Sequence, residues 1–303
     1  MIKSPFQILY VNNIMEKSIV SIIKPALDID IDNPCNSHDI VLNANDSFCS
    51  RVSTVSGKSE KPSQTGNGSM AKDIPLNERI IFALDVSTRE EAKQYVKTLE
   101  PYTRFFKVGL QLFLAEGFEI IEWILKRDLK VFADLKLFDV PETVRLAVRA
   151  LTDRGVTFTT VHGNDAILKA AVEAAQGVQV LAVTVLTSLD EADIRDLGFK
   201  CSVQDLVLSR ARRALEIGCS GVISSGLEAP ILRKELGDNF LVVAPGIRPV
   251  KNTDDQKRTV DVAEAFKNGA DYIVVGRPIR DASDPVAVIK TMQAQIQSAL
   301  SIS

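Results

Sequence analysis

The sequence predicts an α/β protein, a closed (β/α)₈ barrel that spans residues 70–303. Eight short runs rich in β-branched residues alternate with segments whose apolar residues recur at helical spacing, and this alternation is typical of a parallel sheet covered by helices. An open doubly wound sheet is the alternative fold. No GxGxxG pattern follows the first run, however, and eight strand–helix units match a closed barrel, so the TIM-barrel class is favoured.

The predicted strands are short, and the segments between them are amphipathic. In chain order the strands cover residues 80–86, 105–110, 130–137, 158–163, 178–187, 221–226, 239–247 and 272–278. Helical patterns cover, among others, residues 90–100, 114–128, 141–155 and 204–218. Several of them end in glycine after a basic last turn, which is a common helix C-terminus.

Residues 1–69 are predicted to be a separate, disordered leader or linker of low complexity. They are rich in serine and asparagine, show no sustained periodicity, and end in a Gly/Ser/Pro/Lys stretch over residues 55–69. The Gly68-Ser69-Met70 junction fits a foreign leader joined by cloning, and it fits a natural extension equally well. Both origins stay open, and the segment is left out of the fold prediction.

The overall composition excludes several classes of function. A net charge of −3 provides no basic field for nucleic acid or for a membrane surface. No run of about 18 apolar residues is present, so a membrane span is not expected. The cysteines form no CxxC pair and only two histidines occur. We therefore expect no zinc site, and reduced thiols in a cytoplasmic protein.

Charged side chains lie at the ends of the first three predicted strands. Asp85 ends the first strand and Lys107 lies in the second. The third carries Asp134 and Lys136, whose spacing of two predicts that both point into the barrel mouth. Asp139 follows the strand and is expected in the loop. The carboxyl ends of barrel strands are where active sites form, so this row of charges is a candidate active site.

The structural alternative is an ion-pair network that only stabilises the barrel. Such networks are a poor way to gain stability, because apolar packing of the same volume is often as stable or more so. Four charges of alternating sign from three consecutive strands therefore favour a functional array, in which each ion partly offsets the desolvation of its neighbours.

A second pattern predicts a phosphate site. The stretches PGIRP, residues 245–249, and VGRPI, residues 275–279, place Gly-x-Arg and Gly-Arg at the ends of the seventh and eighth strands. Glycine allows backbone N–H groups to approach an anion, and arginine binds phosphate oxygens through its planar fork. Barrel phosphate sites are frequently built from these two loops. The polar stretch 250–260 is long enough to close over a ligand.

The segment FADLKLFDVPETV, residues 132–144, resembles the Asp-x-Lys-x-x-Asp-(Ile/Val)-x-x-Thr signature of bacterial-type orotidine 5′-monophosphate decarboxylases. The similarity continues from about residue 78 to the C-terminus through IIFALDVS, FFKVGLQLF, VTVLTS, PGIRP, DDQKR and VGRPI. The resemblance implies decarboxylation of orotidine 5′-monophosphate to uridine 5′-monophosphate in pyrimidine synthesis, without a metal or other cofactor.

The resemblance also implies roles for individual residues. Lys136 would protonate the pyrimidine C6, Asp134 would lie near the substrate carboxylate, and Lys107 would hold Asp134 in the network. The implied substrate-binding residues are Asp85 at the ribose, Thr187 and Ser188 at the pyrimidine, Arg248, Gly276 and Arg277 at the phosphate, and Gln256 between phosphate and base. Asp139 and Thr143 would reach into the neighbouring subunit's site, which implies a homodimer.

Three other functions fit part of this pattern. Magnesium-dependent 3-keto-gulonate 6-phosphate decarboxylases and hexulose-phosphate synthases share the fold and a similar motif, but they carry an acidic metal ligand where this chain has Lys107. A Schiff-base aldolase would need a neutral lysine, which neighbouring carboxylates disfavour. A non-catalytic nucleotide-binding barrel would not need all four charges.

Overall fold

The computed structural model describes residues 72–247 and 258–301, and these form a closed barrel of eight parallel strands. Each strand pairs with the next in chain order, and the last pairs with the first, so the predicted fold class is confirmed. The strands are β1 (Ile80–Ala83), β2 (Phe105–Gly109), β3 (Lys130–Leu137), β4 (Phe158–Val161), β5 (Gln179–Val183), β6 (Gly221–Ile223), β7 (Leu241–Ala244) and β8 (Tyr272–Val275). The predicted leader, residues 1–69, lies outside the described residues.

Helices cover the outside of the barrel. They are α1 (Arg89–Leu99), α2 (Leu110–Glu116), α3 (Phe118–Leu125), α4 (Pro141–Thr152), α5 (Asp165–Ala174), α6 (Glu191–Asp196), α7 (Val203–Ile217), α8 (Ala229–Leu236), α9 (Val262–Lys267), α10 (Arg277–Arg280) and α11 (Pro285–Ser301), after a short 3₁₀ turn at Leu76–Glu78. Among the described residues, no helix is long and apolar enough to cross a membrane.

The prediction of one helix over 114–128 is wrong, because Gly117 divides the segment into α2 and α3. Gly117 has φ +60° and ψ −144°, a backbone conformation that essentially only glycine adopts. The amphipathic pattern continues across the break, since both helices pack apolar side chains on the same barrel wall. The periodicity therefore did not reveal the break.

The lower interior of the barrel is filled by one apolar layer. It consists of Ile81, Phe105, Phe132, Phe158, Leu181, Val243 and Tyr272. The rings of Phe105 and Phe158 are 4.9 Å apart at their centroids, and Phe158 meets Tyr272 edge-on at 5.3 Å. Burying each such ring contributes about 1.5–3 kcal/mol. Because this layer closes the barrel below, any cavity must lie above it, towards the carboxyl ends of the strands.

A buried carboxylate organises the opposite, amino-terminal end. Asp271 Oδ2 accepts hydrogen bonds from Lys72 Nζ at 2.7 Å, from Arg233 Nη2 at 2.8 Å and from the Val242 backbone N–H at 2.8 Å. Arg233 also donates to the carbonyl oxygens of Gly269 and Phe240. These contacts stabilise the bottom of the barrel, far from the strand ends where the charged row lies.

Candidate active site

A cavity of about 230 Å³ opens at the carboxyl ends of the strands. Eight of the predicted site residues line it, namely Asp85, Lys107, Asp134, Lys136, Thr187, Ser188, Gly276 and Arg277. Most of the remaining wall is apolar and is made by Ala83, Phe132, Val183, Val185, Leu186, Ile223, Pro245, Gly246 and Val274. The cavity therefore combines a charged side with an apolar side, which is the usual character of a small-molecule site.

The four charges form one chain of alternating sign. Lys107 Nζ donates to Asp85 Oδ1 at 3.0 Å and lies 3.6 Å from Asp134 Oδ2. Lys136 Nζ donates to the other oxygen, Asp134 Oδ1, at 2.8 Å. The side chains of Lys107 and Asp134 are 9% and 13% exposed, whereas Lys136 is 37% exposed. Of the two ammonium groups in this row of charges, that of Lys136 is therefore the one that a ligand in the cavity can best reach.

The backbone of β3 is irregular at the point where these charges lie. Ala133 pairs with Thr159, but the next pair is Leu137 with Val161, so β3 bulges between them. Within this bulge Lys136 has φ +46°, in the left-handed region that non-glycine residues rarely adopt. Regular alternation is therefore not what directs Lys136 into the cavity, and the reason given in the sequence prediction is wrong for this strand.

Thr160 on β4 stabilises the bulge, and sequence reasoning missed it. Its Oγ1 accepts a hydrogen bond from the Lys136 backbone N–H at 2.9 Å and donates to Asp134 Oδ1 at 2.9 Å. One hydroxyl thus holds both the strained backbone and the carboxylate. A threonine inside a strand is a common β former, so the sequence contains no signal for this role.

The contacts within this row of charges keep Lys107 and Asp134 ionised. Burial favours the neutral form of Asp134, but Lys107, Lys136 and Thr160 outweigh burial and hold the pKa of this carboxyl below its ordinary value. Burial likewise opposes the charge of Lys107, but Asp134 and Asp85 outweigh it and raise the pKa of the ammonium. Both groups are therefore ionised across the whole physiological pH range.

The loops after β7 and β8 also line the cavity, through Pro245, Gly246, Gly276 and Arg277. Gly276 lies close to the charged row, since a Cβ there would be 3.3 Å from Asp85 Oδ2. Arg277 begins α10 beside it, and Arg280 of the same helix donates to the Asp85 carbonyl oxygen at 2.8 Å. Arg248 and Gln256, the other predicted phosphate ligands, lie outside the described residues.

The family model described as orotidine 5′-phosphate decarboxylase / HUMPS family matches residues 78–292. The chain belongs to this family. An orotidine 5′-phosphate decarboxylase of Methylococcus capsulatus is 59% identical over 229 residues, which cover 75% of this chain and 95% of the relative. One from Xanthomonas euvesicatoria is 47% identical over 234 residues, covering 75% of this chain and 96% of the relative. The resemblance drawn from the sequence is thereby confirmed.

Two solved structures are similar to this chain in fold. The crystal structure of an orotidine 5′-phosphate decarboxylase from Lactobacillus acidophilus superposes with a TM-score of 0.65 at 35% identity, covering 72% of this chain and 99% of the other. An uncharacterised conserved protein from Geobacillus kaustophilus gives a TM-score of 0.63 at 31% identity, with the same coverage of both chains.

Asp139 and Thr143 of the family motif do not line the cavity of their own chain. Both are exposed, and Asp139 Oδ1 accepts a hydrogen bond from the Val140 backbone N–H at 2.6 Å. The surface around them is apolar: Phe138 is 68% exposed, Val140 61% and Leu146 55%. The structure therefore separates these two residues from the other predicted site residues.

The cavity carboxylates all face ammonium groups. Lys107 Nζ lies between Asp85 and Asp134, 3.0 Å from Asp85 Oδ1 and 3.6 Å from Asp134 Oδ2. Within residues 72–247 and 258–301, no three His, Cys, Asp or Glu side chains are grouped so that they could hold a metal ion. A cation placed beside Lys107 would be repelled by it.

Proposed function

We propose that this chain decarboxylates orotidine 5′-monophosphate to uridine 5′-monophosphate, a step of pyrimidine synthesis, without a metal or other cofactor. The observation that supports this most strongly is the row of alternating charges from Asp85 to Lys136 in a cavity that Gly276 and Arg277 also line. The names and identities of the family members point to the same reaction.

The chemistry requires a cation at one carbon atom. Release of CO₂ breaks the bond between C6 and the carboxyl carbon and leaves the electron pair on C6, in an orbital that the ring π system does not delocalise. The ammonium of Lys136 stabilises that charge and then donates a proton from Nζ to form the C6–H bond of the product. The lysine regains its proton from solvent after product release.

The remaining cavity residues bind the parts of the substrate that do not react. Asp85 and Lys107 hold the ribose hydroxyls, Thr187 and Ser188 contact the pyrimidine, and Arg277 with the backbone at Gly276 holds the phosphate. Phosphate binding remote from C6 supplies free energy that holds the base against the charged row, which raises the rate rather than only tightening binding.

The direct test is the loss of orotidine 5′-monophosphate absorbance with purified protein, with and without EDTA. We expect decarboxylation that EDTA does not slow, because no step uses a metal. A reaction that EDTA abolishes and magnesium restores would support the magnesium-dependent branch of the family. Absence of turnover together with binding of uridine 5′-monophosphate would support the non-catalytic nucleotide-binding barrel.

We also propose that the active form is a homodimer in which Asp139 and Thr143 complete the partner's site. In one chain they lie outside the cavity on an exposed apolar surface that contains Phe138, Val140 and Leu146. Exposed apolar side chains clustered around functional polar residues are typical of a surface that a second subunit covers.

The shared site predicts complementation between two inactive variants. Lys136→Ala and Asp139→Ala should each lose activity, but a mixed dimer contains one site with both native residues. After subunit exchange of an equal mixture, about a quarter of the wild-type activity should return. A mixture of Lys136→Ala with Asp134→Asn, whose defects lie in the same site, is the matched control and should recover nothing. Equal recovery in both mixtures, or recovery in neither, would contradict the shared site.

A further inference from the structure

Arg258 is a largely buried arginine that contacts the back of the cavity wall without lining the cavity. Its Nη2 donates to the carbonyl oxygens of Val185 at 3.0 Å and Leu186 at 2.9 Å, and its backbone N–H donates to the carbonyl oxygen of Thr187 at 3.3 Å. Residues 185–188, which we call the β5 wall, all line the cavity. Three of these four residues are thus held by one arginine from behind.

The charge of Arg258 is compensated by Glu228, which lies just after β6. Nη1 of Arg258 donates to Glu228 Oε1, while Oε2 of Glu228 accepts from Ser224 Oγ at 2.9 Å and from the Ser225 backbone N–H at 2.7 Å. Ser225 Oγ donates back to the Arg258 carbonyl oxygen at 3.2 Å. Both charged side chains are largely buried, so loss of either would leave an uncompensated ion.

The chain next to Arg258 is fixed on two further sides. Val260 forms a bridge with Ile247, the residue that follows the end of β7 by three positions. Gly226 approaches Val260 so closely that a Cβ there would lie 2.5 Å from Val260 Cγ1. Arg258 therefore projects from a segment held beside the end of β7 to the end of β5, two strands away in the barrel.

We propose that Arg258, with Glu228, is a positioning residue that sets the β5 wall against the base of the nucleotide. The inference rests on the proposed function, in which Thr187 and Ser188 contact the pyrimidine. An arginine is required because its planar fork reaches a carboxylate and two carbonyl oxygens together, whereas the single ammonium of lysine does not. The phosphate end, formed by Gly276 and Arg277, follows β8, whereas the hydrogen bonds of Arg258 Nη2 to the cavity wall go to the end of β5.

The test compares two ligands that share the phosphate and ribose but differ in the base. Inhibition constants of uridine 5′-monophosphate and ribose 5-phosphate are measured for wild type, Arg258→Lys and Glu228→Gln. We expect the nucleotide to bind about tenfold more weakly in both variants, as for loss of one or two hydrogen bonds to a charged group. Ribose 5-phosphate should change by less than about twofold.

Arg233→Lys is the matched control. Arg233 is equally buried and also joins a carboxylate to two carbonyl oxygens, but it does so at the amino-terminal end of the barrel. The Arg233→Lys substitution should lower the thermal unfolding midpoint, as Arg258→Lys does. It should leave the ratio of the two inhibition constants at the wild-type value. Glu228→Gln keeps the shape of the buried side chain, so it provides the measurement if Arg258→Lys does not fold.

The outcomes separate the two proposals. A changed ratio in the Arg258 or Glu228 variant, with an unchanged ratio in Arg233→Lys, supports the positioning role. Equal weakening of both ligands, or no weakening of either, overturns it and leaves Arg258 with a role in stability alone. Wild-type protein that neither decarboxylates orotidine 5′-monophosphate nor binds the product would instead refute the proposed function.

Discussion

Replacing Lys136 with alanine is expected to lower kcat by at least about 10⁴-fold. Lys136 is the proposed proton donor. It is also the more exposed of the two ammonium groups in the charged row, with 37% of its side chain exposed against 9% for Lys107. Removal of a general acid and removal of a charge that stabilises the C6 carbanion each cost orders of magnitude in rate. The fold should survive, because Asp134 keeps its contacts with Lys107 and Thr160.

The measurement is single-turnover decarboxylation, with product binding as the readout for an intact cavity. Lys136→Ala should still bind uridine 5′-monophosphate, since the phosphate and base contacts lie elsewhere. Lys130→Ala is the matched control, because Lys130 begins the same strand but pairs with Glu78 at the far end of the barrel. It should retain near wild-type kcat. Near-normal turnover in Lys136→Ala would refute the proposed mechanism.

The fold class could be predicted from the sequence because it depends on patterns that repeat. The alternation of a β-branched run with an amphipathic segment occurs eight times, so an error in one element does not change the predicted fold class. The bounds of β3 are those that the sequence predicts. The ends of other runs were predicted too long. The run 178–187, for example, gives β5 only to Val183, because its last residues leave the ladder to form the β5 wall.

The geometry of the site could be predicted only in part. Spacing alone placed Asp134 and Lys136 in the cavity, and both line it, although the alternation assumed for them is broken by the bulge in β3. A positive φ at Lys136 depends on a tertiary hydrogen bond to Thr160, 24 residues away in sequence. No local pattern records such a contact.

Arg258 and Glu228 were missed for a related reason. They are 30 residues apart. Arg258 ends the DDQKR stretch, but the resemblance implied a role only for Gln256 there, and Glu228 looks in sequence like an ordinary polar residue at a helix end. Only the closure of the barrel brings them together behind the β5 wall, so contacts of this kind require coordinates.

Replacing Asp134 with asparagine is expected to lower both stability and kcat. Asparagine removes the charge that compensates two ammonium groups, and it turns an amide N–H₂ towards one of them. Lys107 keeps Asp85, so we expect a loss of about 3 kcal/mol in the free energy of unfolding, at the lower end for a broken buried ion pair. Asp153→Asn, which breaks an exposed i,i+4 pair on α4, should cost less than about 0.5 kcal/mol.

The stability difference should depend on pH in a defined direction. The pKa of Asp134 is lowered in the folded state, so its contribution is complete above the unfolded value, about 3.9, and is lost as pH falls through the folded value. The variant lacks this contribution at every pH. Urea unfolding of both proteins should therefore show a difference that is constant from pH 6 to 8 and shrinks below about pH 4. A difference that grows on acidification would contradict this assignment.

The same variant distinguishes two roles for the carboxylate in catalysis. If Asp134 acts by repelling the substrate carboxylate, Asp134→Asn should bind the substrate more tightly while kcat falls. If it acts by holding Lys136, kcat should fall by about 10²-fold or more with no gain in binding. The contacts favour the second role: one oxygen accepts from Lys136 and Thr160, and the other faces Lys107. A carboxylate whose charge is balanced on both sides repels an incoming anion weakly, and it fixes the ammonium beside it firmly.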